Sequence, residues 1–191
     1  MFLVFVALFG CIRPASADAD PLVGGGSAAE HEIVREAWSL ILETFPGRER
    51  CLSAHAPEVI LRPFDHVGVY DFRIRTVILR EGGFGIADAV HEFAHVLDWE
   101  CGFDAGDEER LFAASGFPPY LRDAGWKYSP VEIFAEAVVK LVLGPEASSA
   151  GGRATGLHPG AEAQAVVVRW VGWSDPAAAS SFPRMLIHVP L

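Results

Sequence analysis

A chain of 191 residues with 51% apolar and 11% aromatic side chains has the material for one packed domain and at most a small appendage, which excludes intrinsic disorder. Its 15 Lys and Arg against 25 Asp and Glu give a formal net charge of −10, which argues against nucleic acid or an anionic membrane as a general partner. No apolar run reaches the ~18 residues of a spanning helix, and no internal repeat of ~20–50 residues is present.

Residues 1–10 (MFLVFVALFG) fit the apolar stretch of an export signal, and Ala15-Ser16-Ala17 supplies a small-residue cleavage site. The chain then divides into a signal over 1–17, a polar, Gly-rich tether over 18–26 and a single domain over 27–191. The alternative for the apolar stretch is a buried strand or helix. No basic residue precedes it, since the first is Arg13. Leu8-Phe9-Gly10-Cys11 resembles a bacterial lipoprotein acylation site, so a lipid anchor at Cys11 stands beside simple secretion. An export signal implies an oxidising compartment, where Cys51 and Cys101 can pair; two buried thiols are the alternative. No CxxC spacing exists, so the cysteines are not expected to bind zinc. Two Lys against thirteen Arg, with abundant Ala and Gly, fit a GC-rich bacterial genome.

Ser27 and Glu30 form a capping-box pattern, and Ile33, Ala37, Leu40 and Ile41 continue at helical spacing until Pro46-Gly47. Residues 58–61 and 67–80 carry β-branched and aromatic side chains and predict two or three strands, the last over about 73–79. Gly82-Gly83 breaks the chain before a helix over about 86–99. A short helix is expected near 108–114. Pro130 opens a long helix that Gly144-Pro145 ends at about 143. Residues 146–160 read as a Gly/Ala/Ser-rich loop, and a last helix is expected over about 161–171. The order predicts an α+β domain, a small, mostly antiparallel sheet packed against helices.

Residues 91–95 read His-Glu-Phe-Ala-His, the HExxH pattern, whose chance expectation on this composition is about 0.02 per chain. Two His at i and i+4 share a helix face and can offer imidazole nitrogens to one metal ion, while the intervening Glu can act as a general base. At ~100° per residue Asp98 joins their face, while Ile86, Val90, Phe93 and Leu97 gather on the far side. Catalytic zinc sites use three protein ligands and keep one position open. The helix from Pro130 offers Glu132 as the third ligand and Glu136, one turn on, as a hydrogen-bond partner fixing a ligand His. Asp98 is a second candidate for such a partner. A competing reading exists for Glu132. Ser129-Pro130-Val131-Glu132 is also a capping box, in which the Glu would turn back to the backbone. Glu136 could equally be a solvated helix charge.

His91-Glu92-Phe93-Ala94-His95-Val96-Leu97-Asp98, followed 37 residues after His95 by Glu132-Ile133-Phe134-Ala135-Glu136, resembles the anthrax lethal factor-type zinc metallopeptidase domain, a gluzincin group that includes Pro-Pro endopeptidases. Gly68-Val69-Tyr70-Asp71 resembles the segment that these domains place ahead of the catalytic helix. The likeness spans about residues 68–145. It implies a zincin-like fold, one Zn2+ per chain held by His91, His95 and Glu132, Glu92 as base and proton shuttle, and a peptide or protein substrate. Strand addition would let an extended peptide bind along the strand over about 73–79 if that strand lies at an edge. One departure stands out. These peptidases commonly carry a Tyr seven residues before the third ligand, where this chain has Gly125. Tyr128 is the expected substitute as donor to the developing oxyanion, with Tyr120 farther back. The alternatives to a secreted peptidase are a zinc-stabilised interaction module and a small exported structural domain without metal.

Overall fold

The Ser27–Glu30 box forms as its spacing predicts: Ser27 Oγ accepts from the Glu30 N–H at 3.3 Å, and the Glu30 carboxylate accepts from the Ser27 N–H at 2.7 Å. It opens helix α1, Ala28–Thr44, in a computed structural model that describes residues 20–172 apart from residue 123. The predicted signal, its cleavage site and Cys11 lie outside the described residues. Glu30 also accepts from the Gly82 N–H at 2.6 Å, which ties the start of α1 to the turn before the HExxH helix.

The domain is α+β, as expected, but the small sheet is mixed rather than mostly antiparallel. Strands β1 (Leu22–Gly24), β2 (Glu58–Arg62), β3 (Gly68–Asp71) and β4 (Thr76–Arg80) lie in the order β1-β2-β4-β3. β1 and β2 pair in parallel, as do β2 and β4; only β3 and β4 are antiparallel. Two causes explain the correction. Part of the expected tether is the strand β1, and a helix crossing over from β1 to β2 leaves them parallel. β4 reads TVILR, buried at its first four positions, and takes the central place beside β2. β3 reads GVYD, with a glycine and an aspartate, and is left at the edge. The strand expected to offer an open edge therefore lies inside the sheet; the edges are β1 and β3.

α3, Ile86–Cys101, lies against β3 and β4 of the sheet and packs in turn on α1 and on α5, Pro130–Leu143. Val34, Trp38 and Ile41 of α1 meet the apolar stripe of α3, and the Trp38 and Phe93 rings stand edge to face at 5.0 Å. The opposite side of α3 is buried as well, so His91, Glu92, His95 and Asp98 are covered rather than turned to solvent. The two remaining expected helices are α4, Ala105–Ala114, and α7, Ala161–Trp170. Two short helices are additions, α2 over Glu49–Ala54 and α6 over Ala150–Thr155. Each is too short for an apolar period to stand out.

Cys51 of α2 and Cys101, the last residue of α3, form a disulfide. Beside it the Arg48 guanidinium lies 4.0 Å from the centre of the Trp170 ring and donates to the carbonyls of Trp170 and Cys101. Closing this loop is worth about 4 kcal/mol in the chain-entropy account. The Cys51→Ser/Cys101→Ser double variant is therefore expected to lose about that much stability in urea titrations, with the wild type under reducing conditions falling to the same level.

Candidate metal centre

α3 brings His91 and His95 to one face, both buried beneath the first turn of α5. Glu132 lies in that turn. The capping box that would have drawn it away does not form, because Ser129 makes no side-chain cap hydrogen bond. The Ser129 N–H, which a box glutamate would accept from, already donates to the Trp126 carbonyl at 2.9 Å in the 3-10 turn Trp126–Tyr128. The Glu132 carboxylate instead faces the imidazoles. Its Oε2 is 3.2 Å from His91 Nε2, its Oε1 is 3.6 Å from His95 Nε2, and the two Nε2 atoms are 3.2 Å apart.

These separations fit a metal ion. Donor atoms about 2.0–2.1 Å from a tetrahedral centre lie about 3.3–3.4 Å from one another. The two imidazole nitrogens stand at that separation and each faces one oxygen of the Glu132 carboxylate, and one donor atom from each of the three residues lies within 4.8 Å of the others, the group among the described residues able to hold an ion together. Electrostatics call for a cation at the same place. Without one, burial works against a charged His91, but hydrogen bonds to Glu132 and Glu136 outweigh it and raise His91 to about 10. Burial and the His91 charge push His95 down to about 4. Burial also opposes charge on Glu132 and Glu136, yet the His91 hydrogen bond and its positive charge hold both carboxyls below the ordinary range.

Glu136 stands behind His91 as expected. Its carboxylate meets His91 Nδ1 at 3.0 Å, which leaves Nε2 aimed at the centre. It also accepts from the Ser148 hydroxyl at 2.9 Å, from the Ser149 N–H at 3.3 Å and from the Ser149 hydroxyl. The serines belong to the segment that reads as a loop. Ser149 caps α6, accepting from the Gly152 N–H at 2.9 Å, and Asp88 Oδ1 accepts from the Ala150 N–H to clamp α6 onto α3. Gly152 must be glycine here, since a Cβ would lie 2.2 Å from Glu136 Oε2. Sequence reasoning missed Ser148, Ser149 and Gly152. Their one signal is a serine pair set just ahead of two glycines.

Glu92 is buried against the other wall of the site. A Cβ on Gly68 would lie 2.6 Å from its Oε1, so the glycine at the start of β3 lets the carboxylate approach the strand. Burial, reinforced by the nearby Glu132 charge, pushes Glu92 up to about 7, against the His91 charge and a smaller lowering by the Tyr70 backbone N–H. Tyr70 is itself anchored, its phenol donating to Glu100 Oε1 at 3.0 Å, and Glu100 Oε2 lies 3.4 Å from the Arg75 guanidinium.

Two expected residues stand apart. Asp98 is buried, but it bonds to neither imidazole; burial first, then the neighbouring Glu108, raises it to about 7. It shares the helix face of the histidines, but their rings turn toward α5. The Tyr128 ring packs edge to face on Phe117 at 5.4 Å, with Lys127 Nζ 4.8 Å from its centre. Among the described residues its hydroxyl makes no hydrogen bond with the cluster. Tyr120 is 76% exposed.

Comparison with family models, with curated proteins and with solved structures gives no match.

Imidazoles must be neutral to bind metal. His91, raised to about 10 in the metal-free protein, carries a proton at pH 7 that an entering ion must displace. Apparent metal affinity is therefore expected to rise about tenfold per pH unit between about pH 7 and pH 9, with release of about one proton. Titration calorimetry in buffers of different ionisation enthalpy measures both; affinity independent of pH over that range would contradict the assignment.

Proposed function

We propose that the protein is an exported zinc metallopeptidase that hydrolyses peptide bonds at the His91/His95/Glu132 centre. The observation that carries this reading is the convergence of two imidazoles and one carboxylate with one donor atom of each within 4.8 Å of the others, and a buried carboxylate, Glu92, beside them. Two nitrogens and one oxygen favour zinc over calcium or magnesium, which prefer oxygen donors. Three protein donors leave a position for water and substrate. The likeness to lethal factor-type peptidases supports the same ligand set, and the Cys51–Cys101 disulfide supports export to an oxidising compartment.

When bound, zinc would supply Lewis acidity, polarising a carbonyl and bringing the deprotonation of water close to neutral pH. His91, His95 and Glu132 hold it, and Glu136 keeps the proton of His91 on Nδ1. Glu92 takes the proton of the attacking water and returns it to the leaving amine nitrogen. A carboxyl poised near 7 can do both. An extended substrate fits the open edge of β3, the strand that Glu92 touches.

A second reading is a zinc-binding interaction module. It is favoured by the placement of the Tyr128 hydroxyl, which leaves the cluster without that phenolic donor. The two readings separate in one assay. Zinc-loaded protein is screened against a broad peptide library beside Glu92→Gln. The peptidase reading expects cleavage by the wild type and about a thousandfold loss in the variant at unchanged zinc content. Bound zinc with no cleavage by either protein would support the module, and full activity in Glu92→Gln would remove the mechanism.

A further inference from the structure

The two oxygens of Glu136 are held unequally. Oε1 meets His91 Nδ1 at 3.0 Å, and it accepts from the Ser149 N–H at 3.3 Å and from the Ser149 hydroxyl. Oε2 accepts from the Ser148 hydroxyl at 2.9 Å. The oxygen that holds the imidazole is therefore the one that Ser149 grips twice. All of this is out of solvent: Ser149 is 2% exposed and Glu136 not at all.

The hydrogen atoms along this chain can lie only one way. The Gly152 N–H, which can only donate, reaches Ser149 Oγ at 2.9 Å. The hydroxyl proton of Ser149 then points at Glu136 Oε1, because an ionised carboxylate only accepts. His91 must supply the proton of its own bond to that oxygen, from Nδ1. Its Nε2 is left facing Glu132 Oε2 and His95 Nε2, each 3.2 Å away. The donor order Gly152, Ser149, Glu136, His91 thus runs from the backbone of α6 into the ligand set.

Ser149 is fixed in its turn. Asp88 of α3 accepts from the Ala150 N–H at 2.6 Å through Oδ1 and from the Gly85 N–H at 2.9 Å through Oδ2. One carboxylate therefore ties the first residue of α6 to the start of the HExxH helix. The Arg153 guanidinium donates to the Ser148 carbonyl. A Cβ on Gly152 would lie 2.2 Å from Glu136 Oε2 and 2.5 Å from Ser148 Oγ, so α6 brings bare backbone against this cluster. The last torsion of a glutamate is soft, with broad minima, so its carboxylate keeps one orientation only where donors pin it. Without the Ser149 hydroxyl, Oε1 would keep one serine donor, the N–H at 3.3 Å.

We propose that Ser149 is a positioning residue of the metal centre, fixing the Glu136 oxygen that orients His91. α6 supplies no metal ligand, yet through Ser149 it sets the affinity of the site. Ser148 holds the other oxygen and contributes less. The inference rests on the metal centre proposed above and is independent of peptide hydrolysis.

Two measurements on the full chain test it: zinc affinity by competition with a chelator, and solvent exchange of the His91 Nδ1 proton in metal-free, isotope-labelled protein by NMR. Ser149→Ala should weaken zinc binding about tenfold, the lower end of what outer hydrogen-bond partners of a ligand contribute. It should also speed exchange of the Nδ1 proton about tenfold. Ser148→Ala should have a smaller effect on both, and Ser149→Thr, which keeps the hydroxyl, should restore both. Ser149 also caps α6, so a loss of stability alone must be told apart. Asp104 caps α4, accepting from the Asp107 N–H at 2.9 Å, and Asp104→Ala should lose a similar cap while leaving both readouts unchanged. Where Ser149→Ala does not fold, Ser149→Gly removes the hydroxyl at little capping cost. The proposal is overturned if Ser149→Ala binds zinc as the wild type does, if Asp104→Ala weakens binding equally, if Ser148→Ala has the larger effect, or if the Nδ1 proton exchanges alike in wild type and Ser149→Ala. A wild type that takes up no zinc would remove the metal centre, and the exchange rates alone would then carry or overturn the placement of Ser149.

Discussion

Glu136 has no access to solvent, and it sits where α3 and α5 press together. An isolated carboxylate in such a place costs several kcal/mol, so it must be neutralised, hydrogen-bonded or both. Here His91 neutralises it, and Ser148 and Ser149 fill its remaining acceptor positions. That one requirement organises much of the chain. It fixes the rotation of α3 and α5 about one another. It orders α6, whose Gly152 is bare because the carboxylate lies against it. It also settles which nitrogen of His91 faces inward, and so makes the second turn of α3 a place for a cation.

The wall opposite α6 works by the same logic with a different partner. Among the described residues Glu92 forms no salt bridge, and a backbone N–H of Tyr70 is the group of β3 that favours its charged form. The strand that offers it must approach α3 closely, which Gly68 permits, and must stay there, which the Tyr70–Glu100 hydrogen bond ensures. Glu100 immediately precedes the disulfide cysteine at the end of α3. The covalent staple, the edge strand and the buried carboxylate therefore belong to one mechanical unit. The sheet is small, but it supplies the rigid side of the site.

Much of this was legible from residues alone. The spacing of HExxH, the Pro130 start and Gly144 stop of α5, and the capping box of α1 are local signals, and local geometry followed them. Glu136 was a candidate because it lies one helical turn beyond Glu132 on the same face, but only its burial separates it from a solvated helix charge. The unreadable parts were decided by groups distant in sequence or by neighbouring turns. Whether Glu132 capped its own helix depended on the Trp126 carbonyl taking the Ser129 N–H, which no motif records. The strand order depended on β4 being more apolar than β3 and on three residues of the expected tether joining the sheet. Asp98 shares the histidine face on a helical wheel, but the imidazoles lean toward α5, away from it. Ser148 and Ser149 carried no pattern stronger than that of a loop.

The central claim is that Glu132 serves the centre and not its own helix end. The direct measurement is zinc stoichiometry and affinity of the full chain, wild type beside Glu132→Ala, purified in parallel and checked for equal thermal stability without metal. The account predicts one zinc per wild-type chain and a loss of affinity of at least about a hundredfold in the variant. Equal zinc in the two proteins would contradict it.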